Sequence, residues 1–371
     1  VTALNFTDHT VAGQEASTDP KGRPVRTAVV GFGISGRVFH SPLIAADPRY
    51  SLDVIVTADP GRSGLAKSSY PAANVVATAE ELLERAGDLD LVVLATPPVT
   101  HFNLAVEAIN RGLNVVVDKP FVPTSAQGEE LISRAAAAGV QLTVFQNRRW
   151  DADFLTVRKL LEAGSLGEVR TFESRFEWWR PEGFGNWRDT TPISEGGGIL
   201  HDLGAHLIDQ AIQLFGPVEE SYGEISSHGR EPGGPASGGK AGADQEAFVS
   251  LLHQSGVRSR LWMNGAAAQV GARFHILGTK AGYTKWGLDG QEPALDAGVP
   301  PTDPAYGLEP ESTWGRLGID GSEERVRPER GAYPEFYRLL GDAFDGAGSL
   351  PVDPAESVQA LRIIEKIHSQ S

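Results

Sequence analysis

The chain has 371 residues, 40% hydrophobic and 22% charged, with a formal net charge of −15 and no cysteine. This length holds two domains and enough core for a cofactor enzyme, while the acidity argues against binding nucleic acid through its phosphates, which needs clustered Lys and Arg. The missing thiols exclude disulfides, a thiolate nucleophile and Cys-ligated metal centres, and they fit a cytoplasmic location.

Residues 1–24 lack the charged start and apolar centre of a signal peptide and read as a polar extension. No run has the length of a membrane span, so no membrane partner is expected. The first strand is predicted over Thr27–Val30, and it runs directly into Gly31, Gly33 and Gly36, a G-x-G-x-x-G turn that also contains Ile34 and Ser35. A helix is predicted over Arg37–Ala46. Gly31 lets such a turn close, Gly33 lets backbone approach a pyrophosphate, and Gly36 lets helix and strand pack closely. The helix N-terminus offers N–H groups to the phosphates. Leu52–Thr57 is a second strand, followed by Asp59 about 20 residues past the glycines, where dinucleotide folds place an acid on the ribose hydroxyls. That acid favours NAD slightly over NADP, although Arg62 offers a partner for a 2′-phosphate. The plainer reading of Asp59 is a strand-ending turn residue before Pro60.

Strands at Leu89–Ala95, Asn114–Val117 and Gln141–Phe145 then alternate with helices at Ala79–Arg85, His101–Arg111 and Thr124–Ala138. Near-continuous apolar strands of this kind belong to a parallel sheet covered on both faces. The reading is therefore a Rossmann-type, doubly wound α/β domain over 25–147. From 148 to 371 the texture changes. Val169–Trp179, Ala247–Leu252, Arg258–Met263 and Arg273–Leu277 alternate like antiparallel strands, with helices at Ile199–Phe215 and Pro354–Ser369. Residues 227–243 and about 288–331 read as loops. This half is predicted to be an α+β domain with a large, open, mainly antiparallel sheet. An uncovered sheet face points to a homodimer or homotetramer.

Two constellations carry chemistry. Val115–Pro120 places Asp118 and Lys119 at a strand's C-terminal end, where parallel sheets bind ligands. An ammonium there can hold a substrate oxygen; a surface lysine is the equal alternative. Glu195–Asp209 (EGGGILHDLGAHLID) puts Asp202 and His206 four apart on a helix, a carboxylate–imidazole pair suited to general base chemistry near neutral pH. A simple helix-surface contact also satisfies that spacing. The glycines at 196–198 are expected to let backbone pass close to a ligand. No third ligand for a metal is evident, so no metal is expected.

Taken together, the glycine turn, Asp-Lys-Pro and GGG-x-x-x-D-x-x-x-H resemble the Gfo/Idh/MocA family of nicotinamide-dependent sugar and polyol dehydrogenases, over roughly residues 25–370. Asp118 departs from that family's usual Glu-Lys-Pro. Four stretches, Gly31–His40, Asn147–Thr156, Asp202–Gln210 and Gly282–Glu292, resemble the branch with NADP-dependent scyllo-inositol dehydrogenases. The resemblance implies Lys119, Asp202 and His206 as catalytic residues, with His206 taking the hydroxyl proton as hydride leaves for the nicotinamide. It implies Thr96, Pro97, His101, Asp118, Lys119 and Gln146 at the cofactor. It also implies Arg148 and Trp150 near the nicotinamide or substrate, with Trp187 and Arg188 at the substrate pocket or merely packed in the second domain. The implied reaction oxidises a CH–OH of a cyclic polyol or sugar. A non-catalytic dinucleotide-binding sensor and an NAD-dependent glycoside hydrolase remain the alternatives.

Overall fold

The computed structural model describes residues 22–185, 187–227 and 243–370. Most of the polar extension and nearly all of the 227–243 loop therefore lie outside the described residues.

Six parallel strands form the first sheet: β1 (Val25–Val30), β2 (Tyr50–Val56), β3 (Asn74–Val76), β4 (Leu91–Leu94), β5 (Asn114–Asp118) and β6 (Leu142–Phe145). Their order is β3-β2-β1-β4-β5-β6. The chain leaves β1 toward one edge and returns through β4 on its other side, so a crevice opens at the C-terminal ends of β1 and β4. Apolar side chains on both faces bury β1, β4, β5 and β6. Two elements went unpredicted, the helix Pro60–Ser69 and the short β3. The helix carries little apolar periodicity, with Ala66 its one buried residue, and β3 forms an edge.

The second sheet has eight strands: β7 (Val169–Glu177), β8 (Val218–Ser226), β9 (Glu246–His253), β10 (Arg258–Asn264), β11 (Phe274–Gly278), β12 (Gly282–Lys285), β13 (Gly315–Gly318) and β14 (Glu324–Val326). The order is β14-β13-β12-β11-β7-β10-β9-β8, antiparallel except between β7 and β10. One face is buried under the helix Ala205–Phe215, as the strict alternation of burial in β7, β9 and β10 records. The stretch at 288–331, expected as loop, contains the helix Gln291–Asp296 and strands β13 and β14. These elements are too short for a period to show.

The cores do not divide at one point of the chain. Tyr333, Phe336, Tyr337 and Leu340 of the segment after β14 join the core of the first sheet. Phe336 meets Phe145 and Trp150 edge-on, with centroids at 4.8 and 5.9 Å. The last helix, Pro354–Gln370, gives Val358 and Leu361 to the first core and Ala360, Ile364 and Ile367 to the second. Among the described residues no helix is long and apolar enough to cross a membrane.

Phe336→Ala tests this return of the chain. Loss of a fully buried ring between two aromatic neighbours is expected to cost about 3–5 kcal/mol, read as a lower urea midpoint. A loss under about 1 kcal/mol would show that the segment is not part of the first core.

Candidate active site

The glycine turn meets its steric expectations. Gly31 has φ +98°, and a Cβ there would approach the carbonyl oxygen of Ala95 to 2.5 Å, so β1 and β4 can end this close only with glycine. A Cβ on Gly36 would overlap the carbonyl oxygen of Gly31. Gly33 differs, since a Cβ there would meet nothing within 4 Å. That open space is where a pyrophosphate would approach. A π-helical turn, Ser35–His40, follows and leads into the helix Ser41–Ala46. Ile34 stands exposed at its start, and the Ser35 hydroxyl oxygen is buried on the side of Asp118. A recess of about 380 Å³ lies between Gly33, Ile34 and Arg37 on one side and Asp59, Gly61 and Arg62 on the other. Asp59 caps the helix Pro60–Ser69, accepting from the Arg62 backbone N–H at 2.8 Å. The capping role accounts for this acid without a ribose, which weakens the ground for favouring NAD.

Lys119 follows β5 directly. Its Nζ donates to Asp202 Oδ1 at 2.7 Å and to the Asp202 carbonyl at 3.2 Å. Arg188 Nε donates to Asp202 Oδ2 at 2.6 Å. Burial by itself would push the Asp202 carboxyl up, but the adjacent Lys119 and Arg188 outweigh it and hold the group well below the usual carboxylate range. Asp202 lies in a π-helical turn, Leu200–Gly204, ahead of the α-helix that carries His206. The expected Asp202–His206 pair is not formed, because the carboxylate is engaged by the two cations instead.

His206 is 3% exposed, and its Nδ1 is buried without a partner. Burial first, then Lys119, Arg148, Arg273 and Arg188, push the imidazole well below its ordinary value. A base near neutrality was expected; burial and the surrounding cations move the imidazole downward from there, toward its neutral form. Phe176 meets it edge-on at 6.2 Å.

Arg148 stacks over Phe176 at 4.9 Å and donates to Asp151 at 3.3 Å and Glu292 at 3.1 Å. Trp150, expected near nicotinamide or substrate, packs in the first core against Phe336. Trp187 begins the short helix Trp187–Thr190, and its side chain lies outside the described residues. Gln146, just past β6, is buried with Oε1 unpartnered. Thr96 Oγ1 lies 2.6 Å from Thr100 Oγ1, and Pro97 is exposed ahead of the helix Pro98–Asn110.

Two expected cofactor residues are occupied within the chain. His101 is fully buried, with Nδ1 3.1 and 3.0 Å from the Pro120 and Phe121 carbonyls and Nε2 2.8 Å from the Thr96 carbonyl. These contacts tie together the loops after β4 and β5. Asp118 accepts from the Lys119 N–H at 2.8 Å and lies 3.9 Å from His40 Nε2. Burial opposes its ionisation, yet His40, Lys119 and Ser35 bring its carboxyl below the ordinary value. The glycines at 196–198 serve protein contacts as well. Side chains on Gly197 and Gly198 would overlap the Thr191 carbonyl and the Asp244 carboxylate. Among the described residues no cluster of metal-ligating side chains forms.

Sequence reasoning missed Arg273, Gln210 and Glu292. Arg273 is buried over Phe176 at 4.3 Å, pairs with Asp153 at 3.2 Å and donates to Gln210 Oε1 at 2.8 Å. Gln210 Nε2 in turn donates to the Arg148 carbonyl at 2.8 Å. These partners sit on separate elements, so no local spacing announces them.

Residues 25–146 match the oxidoreductase family with an NAD-binding Rossmann fold, and residues 154–284 match the GFO/IDH/MocA C-terminal domain. The chain belongs to the Gfo/Idh/MocA oxidoreductase family. It is 37% identical to the uncharacterised oxidoreductase YdgJ of Escherichia coli, over 92% of this chain and 94% of that protein. It is 32% identical to scyllo-inositol 2-dehydrogenase (NADP(+)) IolW of Bacillus subtilis, over 92% of each. The solved structure of yvaA from Bacillus subtilis superposes with a TM-score of 0.85 at 32% identity, covering 94% of this chain and 96% of that one. The chain is thus an NAD(P)-dependent oxidoreductase acting on a small molecule, and the open space at Gly33 and the orphaned Gln146 oxygen fit a dinucleotide.

Side-chain NMR provides a test free of turnover. His206 is expected to titrate below 6.5, and in Lys119→Met its midpoint should rise because one of four neighbouring cations is gone. A midpoint at or above 6.5 in the unchanged chain would contradict the electrostatic account.

Proposed function

We propose that this enzyme oxidises a ring CH–OH of a cyclic polyol or sugar of inositol type, with Lys119, Asp202 and His206 as its catalytic residues. The observation that carries the reading is the Lys119–Asp202–Arg188 chain just past the C-terminal end of β5, together with a buried His206 whose Nδ1 has no partner. A neutral imidazole is ready to accept the hydroxyl proton. Lys119 donates to the substrate oxygen and stabilises its developing negative charge. Asp202, held ionised by two cations, fixes the ammonium and does not itself carry the proton. Arg148, with its buried unpartnered Nε, contributes to substrate binding. When bound, a nicotinamide dinucleotide supplies the hydride acceptor. Gly31, Gly33, Ile34, Ser35 and Gly36 would hold its pyrophosphate, with Thr96, Pro97 and Gln146 toward the nicotinamide. Asp59 and Arg62 line one recess, an acid suited to ribose hydroxyls beside a cation suited to a 2′-phosphate. We therefore infer that both NAD and NADP are used.

The deciding assay is reduced-cofactor absorbance with NAD or NADP against inositols, aldoses and open-chain polyols. Turnover is expected with a ring polyol, and Lys119→Ala and His206→Ala should each lower it roughly 100-fold or more while cofactor still binds. The acid limb of kcat/KM should inflect below 6.5, since burial and the cations lower the His206 pKa and the base form persists to lower pH. Cofactor binding without turnover across the panel would instead support a sensor.

The outer face of the second sheet supports self-association. Trp262 packs against Phe248 at 5.2 Å with Arg175 over it at 4.0 Å, and Tyr222 is exposed nearby on β8. A second copy covering this face gives a dimer or tetramer. Light scattering is expected to show at least twice the chain mass, and Trp262→Glu should lower it; a monomeric unchanged chain would refute this.

A further inference from the structure

The helix Gln291–Asp296 comes from the second domain but lies against the π-helical turn that follows the glycines. Two of its carboxylates, one helical turn apart, each hold an arginine beside the candidate site. Glu292 pairs with Arg148. Asp296 accepts from Arg37 Nη2 at 3.0 Å. Arg37 lines the recess that also contains Gly33, Asp59 and Arg62. Arg37 also lines a larger adjoining cleft of about 600 Å³, together with Leu295, Asp296, Val299 and Pro300, so Asp296 reaches Arg37 from the side of that cleft. The recess therefore has two cations, Arg37 and Arg62, and one of them is already matched by a carboxylate from the other domain.

We propose that Asp296 is a cofactor-specificity residue, which reads the 2′ position of the adenosine ribose by neutralising Arg37. This rests on the dinucleotide reading above. A 2′-phosphate brings nearly two negative charges into a recess that already holds Asp59. With Arg37 committed to Asp296, Arg62 is the other cation lining the recess among the described residues, and Asp296 repels the phosphate. A 2′-hydroxyl carries no charge and is indifferent to the pair. The residue thus restrains NADP and leaves the enzyme balanced between the two cofactors. The pair is solvent-accessible, with side-chain exposures of 36% for Arg37 and 59% for Asp296, so the fold does not depend on it.

The test is the ratio of NADPH to NADH affinity, measured by energy transfer from the protein's tryptophans to the bound nicotinamide. In Asp296→Asn the ratio is expected to rise on the order of tenfold at low salt and to shrink toward the unchanged value at high salt, because exposed charges are screened. In an Arg37→Gln background the same substitution should shift the ratio much less, since the cation it releases is gone. An unchanged ratio in Asp296→Asn, or an equal shift with and without Arg37, would overturn the assignment while both nucleotides still bind. Failure of both nucleotides to bind the unchanged chain would instead overturn the dinucleotide reading and this inference with it.

Discussion

The carboxylate of Asp202, closed between Lys119 and Arg188, is the contact on which the arrangement of the site depends. Each partner arrives from a different part of the molecule: β5 of the first sheet, the short helix Trp187–Thr190, and the π-helical turn of the second domain. Charges this deeply buried are tolerable only when paired with good geometry, and removing one partner from such a group typically costs about 3–5 kcal/mol. The same pairing that locks the domains in register therefore also fixes the ammonium and keeps the acid ionised.

His206 shows the other side of that electrostatic arrangement. It has no carboxylate of its own, and four cations around it favour the neutral ring. Asp202 pairs with Lys119 and Arg188, Asp153 with Arg273, and Glu292 with Arg148, while burial pushes the Asp151 carboxyl beside Arg148 well above its ordinary value. The acids thus pair with arginines and lysine, and His206 Nδ1 is left without a partner. In the proposed reaction this division separates charge stabilisation from proton acceptance.

The two domains are held by more than the site. The last helix gives one face to each core, and Tyr337 reaches back to His40 Nδ1 at 2.7 Å, while Tyr50 donates to the Tyr337 carbonyl at 2.7 Å. His40 ends the π-helical turn after the glycines and approaches Asp118, so the C-terminal segment supports the glycine turn from below. From the helix Gln291–Asp296, Asp296 meets that turn at Arg37, while Glu292 meets Arg148 just past β6.

Much of this was legible in the sequence. Glycine spacing after an apolar strand, unbroken β-branched runs and the alternation of β7, β9 and β10 reflect local sterics and burial, so they identified the glycine turn and both sheets. Lys119, Asp202 and His206, proposed as catalytic, were singled out for the same reason, as they sit in compact motifs. Their partners were not. A spacing of four suggested that Asp202 serves His206, and only the fold revealed that Lys119 and Arg188 claim its two oxygens. Glycines read as room for a ligand also make room for Thr191 and Asp244, and the fold alone revealed the contacts that His101, Asp118 and Trp150 make within the chain. Sequence by itself determined which elements form and which residues can do chemistry, because backbone sterics and hydrophobic period act over a few residues. Tertiary structure alone decided which charges meet and which histidine is pushed toward its neutral form, because burial and Coulomb interaction depend on distances between elements that lie far apart along the chain.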